Sequence, residues 1–124
     1  MGDELQHWAV QVLRFALREP TVAAGEAVLH VVDTGADGPH RFRGSVLPGD
    51  RTVAAQALDR ARDDVDVARW AVSFVTWIPD PGEAWLICDC SDGGAPQRFA
   101  TALRPTADGM TASRMVSLGP TPRP

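Results

Sequence analysis

The sequence contains no lysine and no tyrosine, and each absence removes a kind of chemistry. Without lysine the chain cannot form a Schiff base with a carbonyl substrate, and it has no P-loop lysine to hold nucleotide phosphates. Without tyrosine it has no phenol to act as an acid or a base. All 12 basic residues are therefore arginine, which is typical of a GC-rich bacterial genome. The functional alternative is a need for planar donors that bind carboxylate or phosphate.

Cysteine is also scarce, since Cys88 and Cys90 are the only two in the chain. Two are too few for the disulfide framework of a small secreted protein. On one strand, positions two apart point to the same face, where an unstrained disulfide is not expected. A structural zinc site needs four ligands, and no histidine stands at a matching spacing. We therefore predict two buried packing residues and no metal or cofactor, with redox or metal use as the alternatives.

The chain has no excess of positive charge and no long apolar run. Its net charge is −4 and its pI is near 5.2. A general nucleic-acid binder, or a protein held on anionic lipid, needs a basic surface instead. No stretch approaches the roughly 18 apolar residues of a membrane span, and the acidic start at residues 1–4 is unlike a secretory signal. We expect a cytoplasmic protein that binds neither nucleic acid nor membranes.

The apolar residues that are present suffice for one folded domain. Of the 124 residues, 44% are hydrophobic. A chain of this length can bury roughly two-thirds of its unfolded surface. No repeat or linker divides the sequence, so we expect a single α+β domain over residues 1–118. A disordered proline-rich tail is expected at 119–124.

Hydrophobic periodicity predicts an antiparallel sheet of five strands, or six, with two helices in the order α-β-β-α-β-β-β(-β). The helices are expected at residues 3–18 and 51–65. The first is apolar around most of its circumference, and the second is rich in alanine, the best helix former. The strands are expected at 26–33, 40–47, 69–78, 84–90 and 98–104, with a weaker one at 110–118.

The hairpin within residues 67–90 is the most apolar and most β-prone stretch of the chain. Alternation along its first strand puts Trp70 and Phe74 on one face and Val75 and Trp77 on the other. We expect both helices to cover one face of the sheet. The face of Val75 and Trp77 would then be open, which makes it a candidate interface.

Several strand residues are candidates for binding a partner. Trp77 and Trp85 belong to the central hairpin, and aromatic residues are enriched at binding hot spots. Arg41 and Arg43 alternate outward on the second strand and suit a carboxylate or phosphate, whereas Val46 is expected to point into the core. The other arginines on predicted strands, which would extend this basic patch if the strands are neighbours, are Arg69, Arg98 and Arg104.

His30 lies among apolar neighbours in the middle of the first strand. A catalytic role would require a second group, such as Cys88, within hydrogen-bond reach. A histidine that packs or hydrogen-bonds in the core is the simpler interpretation. If a pocket lies between the first helix and the sheet, His30, Cys88 and Arg43 are the polar groups expected in it.

These patterns favour a small non-catalytic protein that acts by binding, as a homodimer or as a subunit of a complex. No nucleophile–base pair or metal-ligand pattern indicates an enzyme. The first helix and the central hairpin are also apolar on more sides than one core requires. One alternative is a small-molecule-binding protein or enzyme with its pocket between the first helix and the sheet. Another is an immunity or antitoxin-like protein, which shares the small size and acidic charge.

Overall fold

A computed structural model describes residues 2–33, 42–49, 51–63, 67–79, 82–107, 109–112 and 115–121 of the chain. In these residues the helices are α1 (Gly2–Arg18), the short α2 (Pro20–Ala23) and α3 (Arg51–Asp63). The strands are β1 (Ala27–Asp33), β2 (Phe42–Pro48), β3 (Arg69–Ile78), β4 (Glu83–Ser91), β5 (Gln97–Thr106), β6 (Gly109–Ala112) and β7 (Val116–Pro120). The predicted α+β class and the order of the main elements are confirmed.

Helix α1 forms because its apolar residues recur with the period of a helix and cover one continuous stripe. Pro20 ends α1, as predicted, and begins α2, where its missing N–H costs nothing. Gly25 has a φ of +78°, which L residues rarely adopt, and it turns the chain toward β1. The residues of α1 that are buried are Leu5, Trp8, Ala9, Val12, Leu13 and Ala16.

The sheet has the strand order β2-β1-β3-β4-β5, and both β6 and β7 pair with β5. Each neighbouring pair is antiparallel. Because β2 and β3 each run antiparallel to β1, which lies between them, they run parallel to each other. Helix α3 is the crossover that joins them. This crossover leaves β2 at one edge of the sheet and places β1 inside it.

Each face of the sheet carries its own apolar core, and a different helix covers each. On one side α1 packs over residues that include Leu29 and Leu86. On the other side α3 packs over residues that include Val28 and Val72. The prediction that both helices cover one face is therefore wrong. We call the two sides the α1 face and the α3 face; Val75, which was expected on an open face, packs against the core of the α1 face.

The C-terminal segment differs from the prediction in two ways. The weak strand expected at 110–118 is instead two short strands, β6 and β7, which pair with different halves of β5. The tail expected from residue 119 begins later, because β7 extends to Pro120 and Thr121 is buried. Residues 122–124 of the predicted tail lie outside the described part of the chain.

Candidate functional site

A buried aspartate on the α1 face holds one of the strand arginines. Asp33 is 1% exposed, and its Oδ2 accepts hydrogen bonds from Nε of Arg69 at 3.1 Å and from Nη2 at 2.6 Å. The guanidinium also lies 4.4 Å from the centre of the Trp8 ring, whose face attracts a cation. These contacts hold Arg69 between β1 and α1, so its charge is already neutralised.

A second buried aspartate does the same on the α3 face. Asp89 accepts a two-point contact from Arg98, with Nε to Oδ1 at 2.8 Å and Nη2 to Oδ2 at 2.9 Å. The Thr121 hydroxyl donates to the same Oδ1 at 3.0 Å. The hydrogen bond to Asp89 raises the pKa of Arg98. This cluster ties β4, β5 and the residue that follows β7 into one unit.

The prediction of a basic patch is wrong for Arg69 and Arg98, because they lie on opposite faces of the sheet. Each is also paired with a buried carboxylate. Arg104 is exposed on the α3 face. Arg41 and the side chain of Arg43 lie outside the described part of the structure, so the binding role predicted for them stays a prediction.

The two cysteines lie beneath α1 and are fully buried. Both are free thiols. The hydrogen bond with Cys88, burial and the charge of Asp89 together raise the pKa of Cys90. A thiol in this environment stays protonated at neutral pH and is therefore a poor nucleophile. Among the described residues, no group of three or more His, Cys, Asp or Glu side chains could hold a metal ion.

We expect Cys88 and Cys90 to react with Ellman's reagent only when the protein opens. The reaction of the native protein should be orders of magnitude slower than that of free cysteine, because the reagent needs an exposed thiolate. Both thiols should react at once in urea above the unfolding transition. A fast reaction of one thiol in the folded protein would contradict the burial seen here, and a Cys88→Ser variant would show which one reacts.

The polar residues predicted to share one pocket are not brought together. His30 pairs with Val72 and therefore lies on the α3 face, whereas Cys88 pairs with Ser73 on the α1 face. The sheet itself separates them, so no pocket under α1 contains both. His30 is half-buried on the side where α3 packs.

The two tryptophans predicted to bind a partner also lie on opposite faces. Trp77 lies near the end of β3 on the α1 face, and it is 64% exposed. Trp85 is half-buried on the α3 face, where it packs against the core under α3. Of the two, Trp77 presents the larger free aromatic surface.

The outer side of β2 is an open strand edge, since no described residue pairs with it. The Gly49 N–H donates to the Glu26 carbonyl at 3.3 Å, which makes these two residues a hydrogen-bonded pair. In an antiparallel ladder such pairs alternate with pairs that are not hydrogen-bonded. The N–H and C=O groups of Gly44 and Val46 therefore point away from β1, toward the open side.

Apolar side chains flank this edge on the α1 face. Val46 is 39% exposed and Phe15 of α1 is 37% exposed. The Phe15 ring reaches over Gly44, where an added Cβ would stand 3.7 Å from its Cε1. The prediction that Val46 points into the core is thus only half right: it faces the side of α1 but is exposed. The edge offers free backbone groups next to exposed apolar surface.

The opposite edge of the sheet is protected. It is formed by β6, which has four residues, and by β7, which has five. The pairing of β7 shifts register next to Phe99, which places Leu118 in a bulge. Bulges and short strands are devices that keep a sheet edge from adding another strand. By contrast, β2 pairs along all seven residues without a shift.

A groove lies on the α3 face between α3 and the end of β2. Its volume is about 200 Å³. The polar residues that line it are His30, Gln56 and Arg60. The small-molecule pocket was predicted under α1, whereas this groove lies on the other side of the sheet.

Comparison of the chain with protein-family models, with curated proteins and with solved structures finds no match. No helix in the described part of the chain is long and apolar enough to cross a membrane.

Proposed function

We propose that this chain is a small non-catalytic interaction protein that forms a homodimer by pairing β2 with β2 of a second copy. The observation that carries the proposal is the open, unshifted edge of β2 beside exposed apolar side chains. An exposed strand edge is a ready template for another strand. Adding a strand there would extend the sheet and satisfy backbone groups with which no described residue of the monomer pairs.

The sequence of β2 suits pairing with itself. An antiparallel pair of identical strands is isologous, so each residue meets its mirror position across a twofold axis. With Gly44 opposite Gly44 of the partner copy, Arg43 stands opposite Ser45, and no like charges face each other. The outward-pointing backbone groups of Gly44 and Val46 then meet those of the other strand.

The same twofold axis would join the apolar surfaces of the two copies. An axis perpendicular to the sheet keeps both α1 helices on one side. Phe15 and Val46 of each copy would then form one continuous apolar surface across the junction, and burial of such surface is the main driving force of association. Glycine at the centre leaves room for the two Phe15 rings.

The test is the effect of Val46→Lys on oligomeric state. We expect the wild-type protein to have a dimer mass by light scattering at micromolar concentration. The variant should raise the dimer dissociation constant by about a hundredfold or more, because two like charges enter one interface. Its free energy of unfolding, measured at a concentration where both proteins are monomers, should change little, since Val46 is exposed.

Trp77→Lys is the matched control, because it adds the same charge at an exposed apolar position on the same face. It should leave the dimer intact. Dissociation by Trp77→Lys but not by Val46→Lys would move the interface to the end of the central hairpin. A wild-type protein that is strictly monomeric at micromolar concentration would overturn the proposal.

A further inference from the structure

The groove on the α3 face exists because of how α3 sits on the sheet. The helix packs mainly against β3 and β1, and only its first turns, at Val53, approach the end of β2 near Gly49. Its small alanine side chains, such as Ala57, let the helix lie close to β1 but fill little space toward β2. Val53, Gln56, Ala57 and Arg60 are spaced i, i+3, i+4 and i+7, so they form one stripe along this side of the helix.

The lining combines nitrogen donors with an apolar wall. Arg60 and Gln56 are exposed at the opening, and His30 is half-buried on β1. Among the described residues, no aspartate or glutamate lines the groove, although acidic residues outnumber arginines in the chain by 16 to 12. The apolar part of the lining consists of Leu47, Pro48, Val53 and Ala57.

These groups fit a negatively charged ligand with an apolar body. A guanidinium binds a carboxylate through two parallel hydrogen bonds, and a side-chain amide adds further donors. The groove has a volume of about 200 Å³. This is below the range of about 300 to 1,000 Å³ that drug-sized ligands occupy.

We propose that the groove binds a small organic acid. Its carboxylate lies on Arg60 and Gln56, and its short apolar chain packs against Leu47 and Val53. Binding at this place is separate from pairing through the outer edge of β2, because the groove opens on the α3 face. The proposal therefore adds a ligand to the interaction role and does not depend on the dimer.

The test uses hexanoate as the probe, with backbone amide shifts as the readout. Titration should shift the amides of His30, Gln56 and Arg60 in a saturable way, with a dissociation constant in the millimolar range or below. Acetate has the charge without the chain, and hexanol has the chain without the charge. Each should bind at least about tenfold more weakly than hexanoate, because each loses one half of the contacts. Inorganic phosphate tests whether the groove binds anions in general or carboxylates in particular. We expect it to bind as weakly as acetate.

Arg60→Gln should weaken hexanoate binding by about tenfold to a hundredfold, which is the effect of losing a hydrogen bond to a charged group. Arg62→Gln is the matched control, since it removes the same charge from the same helix at a position that does not line the groove. It should bind hexanoate as the wild type does. The measurements repeated in the Val46→Lys background would keep the result independent of oligomeric state.

Three results would overturn the proposal. One is the absence of saturable shifts with hexanoate. Another is equal binding of hexanol and hexanoate, which would leave only an apolar surface. The third is an equal loss of binding in Arg60→Gln and Arg62→Gln, because that would assign the effect to the net charge of α3 and not to the groove.

Discussion

Replacement of Asp89 by alanine is expected to lower the free energy of unfolding by about 3 kcal/mol, near the lower end of the range for breaking a buried ion pair. Asp89 is 1% exposed and accepts hydrogen bonds from Arg98 and Thr121. The variant leaves the guanidinium without its carboxylate and removes the contact that holds Thr121. The Arg98 side chain is 24% exposed, so water recovers part of the loss and sets the value at the lower end.

Urea unfolding followed by tryptophan fluorescence measures this effect. Asp92→Ala is the matched control: it removes the same charge from an exposed position three residues later and should change stability by less than about 0.5 kcal/mol. The double variant Asp89→Leu with Arg98→Met should lose less stability than Asp89→Ala alone, because no unpaired charge remains. Unfolding of Asp89→Ala at the wild-type urea concentration would show that the pair adds nothing to the folded state.

Trp8→Ala should lower the free energy of unfolding by about 4 kcal/mol, the largest effect that we expect from a single change. Trp8 is 2% exposed and fills the space between α1 and the sheet. Its ring also covers the Arg69 guanidinium, which is bound to Asp33. Loss of the ring both opens a cavity and removes the cation–π contact. The measurement is the same urea transition, with far-UV circular dichroism to monitor α1.

Two companion variants separate the causes. Trp8→Phe keeps a ring over Arg69 and most of the volume, so its free energy of unfolding should fall clearly less than that of Trp8→Ala. Phe15→Ala, on the same helix, should cost about 1 kcal/mol because the side chain is already 37% exposed. An equal loss for Trp8→Ala and Phe15→Ala would contradict the central place given to Trp8.

Much of the fold could be predicted because local patterns settle it. The apolar period of α1 leaves no other way to bury Leu5, Trp8 and Val12 together, and the structure buries all three. Alternation also assigned Trp70 and Trp77 correctly to opposite faces, since the period of a strand is two. Short turn-rich segments after β3 and β4 predict antiparallel neighbours, and those pairs are present.

The arrangement of the helices could not be predicted in the same way. Both sides of β1 are apolar, so Val28 and Leu29 do not reveal which helix each one meets. The decisive fact is that β3 pairs with β1 and not with β2. This makes the passage through α3 a crossover between parallel strands, and the strong preference for one handedness fixes the face that the crossover helix takes. No local pattern in the sequence carries that information.

The candidate sites depend on the same fact. The edge of β2 is open because β3 pairs with the other side of β1. The alternating pattern of β2 does not show whether the strand lies at an edge of the sheet or inside it. His30 and Cys88 could not be placed relative to each other without the register of β1, β3 and β4, which puts the sheet between them. The spacing of Val53, Gln56 and Arg60 in the sequence shows that they share one side of a helix. The sequence does not show that this side of α3 lies beside the end of β2.

The pairing of β1 with β3 also sets an order of events during synthesis. Leu29 pairs with Ser73, so the inner side of β1 waits for a strand that emerges from the ribosome more than forty residues later. Until then β1 lacks one of its two neighbouring strands, and α1 lacks the part of the sheet that β3 and β4 supply to it. The strands from β3 to β5 pair with close neighbours in sequence and can form as they emerge. The nascent N-terminal half is therefore the part that most needs protection from aggregation, and the arrival of β3 ends that period.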